Sequence, residues 1–321
     1  MRADFFQSVQ ADLDRVTEVI YHAIDTNNTV LYQAARYFME ASGKKFRPAL
    51  VLLAGKSCDA KMSETVIRTA ATLEFLHMAS LVHDDIVDQA DRRRGIETVN
   101  CHFSNKVAVL LGDYFYAKAL QQAVLCGISV VEMMSDVIDC LVSGEWQQLR
   151  ETDNLAVSEA DYFKRIELKT ARFISASCRL GALAVGASQE MQQALQDYGQ
   201  NLGMAYQIRD DLLDIVGDEQ KTGKTTYTDL SEGHITLPII HALRESACRE
   251  EFLAVLKDKD FGQPARQRLT LLLRDGGSID YAAGAAARFA ARAKECLLPL
   301  PEGAVSTALY SMADFACIRV H

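Results

Sequence analysis

The chain has 321 residues, 49% of them hydrophobic, and a formal charge of −9, so it holds ample apolar material for a large core. That acidic balance excludes a general nucleic-acid binder, because phosphate backbones are held by excess Lys and Arg. Eight cysteines, at positions 58, 101, 126, 140, 178, 248, 296 and 317, form no CxxC pair, which excludes a disulfide framework and suits reduced thiols in a cytosolic protein.

No apolar run approaches the roughly 18 residues that span a bilayer, and the opening stretch MRADFFQSVQADLDRV lacks an apolar leader core. The expectation is a soluble, cytoplasmic protein. Ala, Leu, Glu, Gln and Arg dominate, all good helix formers, and alternating strand patterns are scarce. The predicted class is all-α, as one domain over residues 1–321, since no Pro/Gly/Ser-rich linker interrupts it.

In chain order, NNT at 27–29 and ASGKKFRP at 41–48 predict helix–helix loops, the second closed by Pro48 at the next helix start. VIRTAATLEFLHMASLVHDDIVD (66–88) predicts a long apolar helix that DRRRGIETVN breaks at Gly95. Segments 107–125 and 164–187 predict two more helices apolar on nearly all sides, which belong inside a bundle. Segment 191–218 predicts an apolar helix that again ends in clustered aspartates. A long polar loop follows, then a helix from LPIIHAL, and an Ala- and Arg-rich outer helix over 281–298.

Two acidic helix ends demand an explanation. Asp84 and Asp88 are four apart, about 40° round a helix, and Asp85 widens the patch; Asp210, Asp211 and Asp214 repeat the pattern. Each cluster sits at the C-terminal, negative pole of its helix, where carboxylates are unfavourable unless cations arrive. Clustered oxygen ligands suit Mg²⁺, which binds through one or two carboxylates plus substrate phosphates. About three divalent ions would neutralise six aspartates and leave phosphate charge for basic side chains to meet. Arg93, Arg94, Lys169, Lys224 and the Lys44/Arg47 pair are the candidates, arginine as a planar fork and lysine as a point charge. Acids hold metal, metal and basic groups hold phosphate, and the apolar helices hold something greasy.

HDDIVDQADRRRG resembles the first aspartate-rich motif of the trans-isoprenyl diphosphate synthases, the polyprenyl synthase family, and GMAYQIRDDLLD resembles the second. GKKFRP, ELKTA and EGHITLP resemble three further family segments in the family's order, so the similarity covers nearly the whole chain. It implies an all-α bundle around a central cavity, the isoprenoid synthase fold, and a Mg²⁺-dependent head-to-tail condensation of isopentenyl diphosphate with an allylic diphosphate. Among long-chain members it is most similar to octaprenyl-type synthases.

By that resemblance Asp84, Asp85, Asp88, Asp210 and Asp214 bind Mg²⁺, about three ions per site as the charge count also suggests, with Asp211 alongside. Arg93, Lys169 and Lys224 contact the allylic diphosphate, and Thr170 and Gln207 line the reacting carbons. Lys44, Arg47, His77 and Arg94 form the metal-free site for isopentenyl diphosphate. Ala79 and Ser80 stand where short-chain members carry an aromatic floor, so a growing chain can pass; Phe75, Leu76 or Leu120 could supply deeper bulk. The resemblance also implies a homodimer and transient membrane contact for product release.

Ser42, Lys45, Tyr227 and His234 depart from the family pattern, the last two replacing a usual Gly and a usual Lys. Three other classes fit the sequence less well. GDEQKTGKTT has a P-loop look, but Gly217 is followed by five residues before Gly223, one too many. A class I terpene cyclase would not need a second diphosphate site, and a silent regulatory subunit could lose the aspartates that are complete here.

Overall fold

The computed structural model describes residues 5–40, 43, 45–59, 62–217, 226–245, 249–257 and 261–317. Regular structure among them is helical apart from one short two-stranded ribbon. The chain divides into two compact units. The first holds the chain up to Asp136 with Ala176–Gln196 and Pro299–Ala308, and the second holds Val137–Ser175, Asp197–Leu298 and the chain from Leu309 onward.

In the first unit, α1 (Gln10–Ala23) and α2 (Thr29–Glu40) precede α3 (Phe46–Cys58) and α4 (Glu64–Val87). The Ser63 hydroxyl accepts from the Val66 amide and opens α4, satisfying one of the amides a helix start leaves orphaned. α4 is the core of the unit: α1, α3 and α6 (Asn105–Cys126) pack around it, and Ala70, Leu73, Phe75, Leu76 and Ala79 are fully buried. The predicted span 66–88 therefore matches a real buried helix.

α6 corrects its sequence reading. Ala108, Leu111, Phe115, Ala119 and Ala123 are buried, yet Leu110, Val124 and Leu125 are 63%, 63% and 65% exposed. Nothing among the described residues covers that second face, so the helix is apolar all round without being enclosed all round. Leu120 lies on it, 45% exposed, and is thereby excluded as buried bulk below Ala79.

The break predicted at Gly95 is a β-hairpin, β1 (Arg92–Arg93) against β2 (Ile96–Glu97), with Arg92 opposite Glu97. Both turn residues, Arg94 and Gly95, have positive φ, 50° and 86°, as the tightest hairpin turn requires. The short helix α5 (Val99–His102) follows.

α7 (Ile128–Glu151) runs from the first unit into the second. The single helix predicted over 164–187 is three pieces: α8 (Glu159–Ile166), a π-helical turn at Glu167–Ala171, and α9 (Arg172–Ala184). The π turn falls on ELKTA, and such turns widen a helix by one residue. It faces α10 (Gln189–Val216) at very short range: a Cβ on Gly203 would lie 2.5 Å from the Ala171 Cα. Only glycine admits that approach. Helices α11 (Thr228–Ser231), α12 (Leu237–Glu245), α13 (Arg249–Lys257), α14 (Gln263–Asp275), α15 (Ser278–Cys296) and α16 (Ala304–Ala316) complete the series. The core of the second unit gathers Tyr162, Ala171, Ile208, Leu212, Tyr227 and Leu237 with the inner faces of α12 to α15. α15 buries Ala282, Ala285, Ala286, Ala290 and Ala293 and turns its arginines outward.

Candidate active site

In the first unit, α4 ends at Asp88, so Asp84, Asp85 and Asp88 occupy its last turn. The three do not share one environment. Asp88 is exposed and Asp84 half-buried, whereas Asp85 is 2% exposed and accepts from the Arg93 Nε at 2.7 Å. Burial raises the Asp85 pKa and the Arg93 guanidinium opposes the rise. The hairpin delivers that arginine, and its turn places Arg94 against the loop before α3. A Cβ on Gly43 would lie 2.6 Å from the Arg94 guanidinium, so that side chain lies directly over the glycine.

Arg47 and His77 meet beside them. Arg47 Nη1 lies 3.2 Å from His77 Nε2, and a guanidinium only donates, so His77 accepts and carries its proton on Nδ1. Burial, then Arg47, Arg94 and Arg93, hold its pKa well below the usual imidazole range. One turn earlier on α4, Glu74 is 4% exposed. Burial raises its pKa, while Arg47, Lys45 and Arg94 lower it. It was not singled out from sequence; an acid in the middle of so apolar a segment was the available signal. Lys44 and Ser42 lie outside the described residues. Ala79 is fully buried, and the half-buried Ser80 hydroxyl donates to the His77 carbonyl.

In the second unit the aspartates of α10 divide the same way. Asp210 is exposed and Asp214 half-buried, but Asp211 is 4% exposed. Asp211 accepts from the Tyr162 hydroxyl at 2.6 Å and from Gln207 Nε2 at 2.9 Å. Burial pushes its pKa up to about 6 against the pull of those two hydrogen bonds. The two carboxylate oxygens of Asp214 accept from the backbone amides of Thr228 and Asp229, at 3.1 and 3.2 Å. Asp229, a further carboxylate that local patterning did not single out, has its pKa raised well above the usual range by burial and then by Asp211 and Asp214. Tyr227, standing where a glycine was expected, adopts φ 60°. Its ring is 1% exposed and its hydroxyl lies 2.9 Å from Thr270 Oγ1. A bulky residue in that conformation is strained, and burial of the ring with its polar tip bonded offsets the strain.

Lys169 and Thr170 sit in the π turn. Lys169 Nζ contacts Glu145 Oε2 at 2.5 Å and donates to Gln148 Oε1 at 2.9 Å. The Gln148 amide nitrogen then lies 3.2 Å from His234 Nε2, so it donates there and leaves the imidazole proton on Nδ1. Glu145 and Gln148, three apart on α7, escaped the sequence reading because their partners are more than a dozen residues away. Lys224, with most of the P-loop-like segment, lies outside the described residues.

His234 has its pKa lowered to about 4 by burial, then by Lys169 and Arg165, with Glu145 and Asp153 opposing. The unfolded imidazole takes a proton near 6.5 and the folded one only near 4. The unfolded chain thus binds more protons in that window, and stability present above pH 6.5 is lost as pH falls towards 4. His234→Gln is expected to reduce the drop in melting temperature between pH 7 and pH 4.5. An undiminished drop would show that the imidazole is not what titrates.

Among the described residues, no three His, Cys, Asp or Glu side chains gather closely enough to enclose a metal ion by themselves. The donor chemistry still fits Mg²⁺. Asp88 and Asp210 are exposed and Asp84 and Asp214 half-buried, and Mg²⁺ is held by one or two carboxylates with phosphate and water completing its shell, not by a protein cage.

The family profile described as Polyprenyl synthetase matches residues 28–270. The chain belongs to that family. This polyprenyl synthetase is 35% identical over 311 residues to octaprenyl diphosphate synthase of Haemophilus influenzae, covering 96% of this chain and 94% of that one. It is 37% identical over 255 residues to heptaprenyl diphosphate synthase component 2 of Geobacillus stearothermophilus, covering 79% of each. Among solved structures, a decaprenyl diphosphate synthase from Rhodobacter capsulatus matches with a TM-score of 0.91 at 32% identity, covering 99% of this chain and 98% of that one. The all-α isoprenoid synthase class is therefore established, and the polyprenyl synthetase is a prenyltransferase.

Proposed function

We propose that the protein condenses isopentenyl diphosphate with an allylic prenyl diphosphate, head to tail and in a magnesium-dependent manner, to give a long-chain all-trans polyprenyl diphosphate. The observation that carries this reading is the paired character of the two aspartate clusters. In each, the middle carboxylate is buried and bonded to a protein side chain, while the outer two are exposed or half-buried. Asp84, Asp88, Asp210 and Asp214 would hold the metal, with Asp85 behind Arg93. Bound there, Mg²⁺ would supply positive charge to a departing diphosphate.

Arg93, Lys169 and Lys224 would hold that diphosphate as the C1–O bond of the allylic substrate breaks. Thr170 and Gln207 would flank the allylic cation. Lys44, Arg47, His77 and Arg94 would fix the second diphosphate so that the double bond of isopentenyl diphosphate attacks C1, and the proton then lost passes to the released diphosphate. Arg47 arrives with one guanidinium nitrogen already directed at His77, a preset geometry that lowers the ordering cost of binding.

Small residues at Ala79 and Ser80 favour a long product, as do the octaprenyl and decaprenyl names carried by relatives. The uncovered apolar face of α6 supports a homodimer, a long polyprenyl product implies brief membrane contact, and the cysteines, none in a disulfide among the described residues, suit the cytoplasm. No helix among the described residues is long and apolar enough to cross a membrane. The similarity to a protein named component 2 favours a second arrangement, in which the chain works beside another subunit.

Incubating the purified chain with farnesyl diphosphate, isopentenyl diphosphate and Mg²⁺, then chromatographing the dephosphorylated products, tests these points together. Long polyprenols are expected, and chelation should abolish them. Short prenols alone would overturn the chain-length reading. No product without a second subunit would favour the heteromeric arrangement.

A further inference from the structure

We infer that Tyr162 is a positioning residue for the reacting centre, acting through Asp211 and Gln207 on Thr170. The hydrogen bonds form one directional chain. The Tyr162 hydroxyl donates to Asp211 Oδ2 at 2.6 Å, Gln207 Nε2 donates to Asp211 Oδ1 at 2.9 Å, and Thr170 Oγ1 donates to Gln207 Oε1 at 2.7 Å. Each link dictates the next. An aspartate that accepts on both oxygens forces Gln207 to present its NH₂ inward, which leaves its carbonyl oxygen for Thr170. Thr170 must then spend its only hydroxyl proton on Gln207, and its remaining lone pairs turn away from the amide.

A lone-pair-bearing oxygen beside an allylic cation stabilises it, whereas a hydroxyl proton pointed there would oppose it. Tyr162 thus fixes the carboxylate that orients Gln207 and, through it, the face of Thr170 that the substrate meets.

The anchor of the chain is rigid. Tyr162 stands in the first turn of α8, whose start is fixed by a reciprocal cap: Asp161 N donates to Ser158 Oγ at 3.1 Å and Ser158 N donates to Asp161 Oδ2 at 3.0 Å. Its ring is fully buried, with the Arg165 guanidinium 5.6 Å from its centre. Arg165 is itself tied to Glu151 at 2.5 Å and to the Ile235 carbonyl at 2.6 Å. At the far end, the contact of Gly203 with Ala171 sets the distance between α10 and the π turn. A phenol this well held is a poor choice for mere space filling, which phenylalanine would do without an interior hydroxyl to satisfy.

The inference rests on the reading that Thr170 and Gln207 flank the reacting carbons, and a double-mutant cycle separates the two. Thr170→Val, Tyr162→Phe and the double variant are assayed with farnesyl and isopentenyl diphosphates, alongside thermal unfolding. Tyr162→Phe is expected to lower kcat about 10- to 100-fold, with KM for each diphosphate within about threefold of the parent. The double variant should be no slower than the slower single one, because residues acting as a unit are non-additive. A purely structural tyrosine would instead give multiplying losses, or a lower melting temperature with unchanged kcat, and either result overturns the inference. An unimpaired Thr170→Val would overturn the reading beneath it. Should Tyr162→Phe fail to fold, Asp211→Asn takes its place in the same cycle, and multiplying losses there overturn the inference equally.

Discussion

Asp84→Ala and Asp210→Ala are each expected to reduce turnover about a thousandfold or more, as loss of charge stabilisation at a developing anion does. The structure separates this effect from damage to the fold. Asp84 is half-buried and Asp210 exposed, whereas the middle carboxylates are buried and bonded to side chains, Asp85 with Arg93 and Asp211 with Tyr162 and Gln207. The melting temperature of the two variants should accordingly stay close to that of the parent. Asp85→Ala should behave differently, since it strands the Arg93 guanidinium and loses stability together with activity. The check is steady-state turnover across a Mg²⁺ titration beside thermal unfolding. Outer-aspartate variants within tenfold of the parent at saturating Mg²⁺ would sink the metal assignment.

Ala79→Phe is expected to shorten the product by one or more isoprene units while turnover is largely retained. Ala79 lies five residues before Asp84 on α4 and is fully buried, and a helical turn of about 5.4 Å is close to the length of one extended isoprene unit. A phenyl ring there meets either hydrocarbon substrate or its own protein. If only protein surrounds it, overpacking costs about 1–3 kcal/mol and product length stays the same. If the growing chain passes this position, the ring caps it. Product chromatography with a melting curve on one preparation distinguishes these, and an unshortened product removes Ala79 from the wall of the path.

Much of this was legible in the sequence because it is local. The run 66–88 spells a helix by its unbroken apolar residues and its lack of Gly or Pro, and the two DDxxD clusters declare their spacing outright. Arg94-Gly95 reads in sequence only as a break, although two residues of positive φ between Arg93 and Ile96 make a hairpin. The π turn at Glu167–Ala171 was invisible, since it depends on how closely Gly203 lets α10 approach. The inequality of the aspartates within each cluster was invisible too. It is set by Arg93 and by Tyr162, the latter 49 residues from Asp211 in sequence, and no periodicity encodes such a partnership. Tyr227 was noticed as a departure, but the buried space that tolerates its conformation is a property of the fold.

Each compact unit is assembled from three separate stretches of chain, and the first needs Pro299–Ala308 to be whole. During synthesis neither half is complete until the ribosome has delivered the chain from Pro299 onward. No truncation, and no split into two expressed fragments at one peptide bond, returns an intact half.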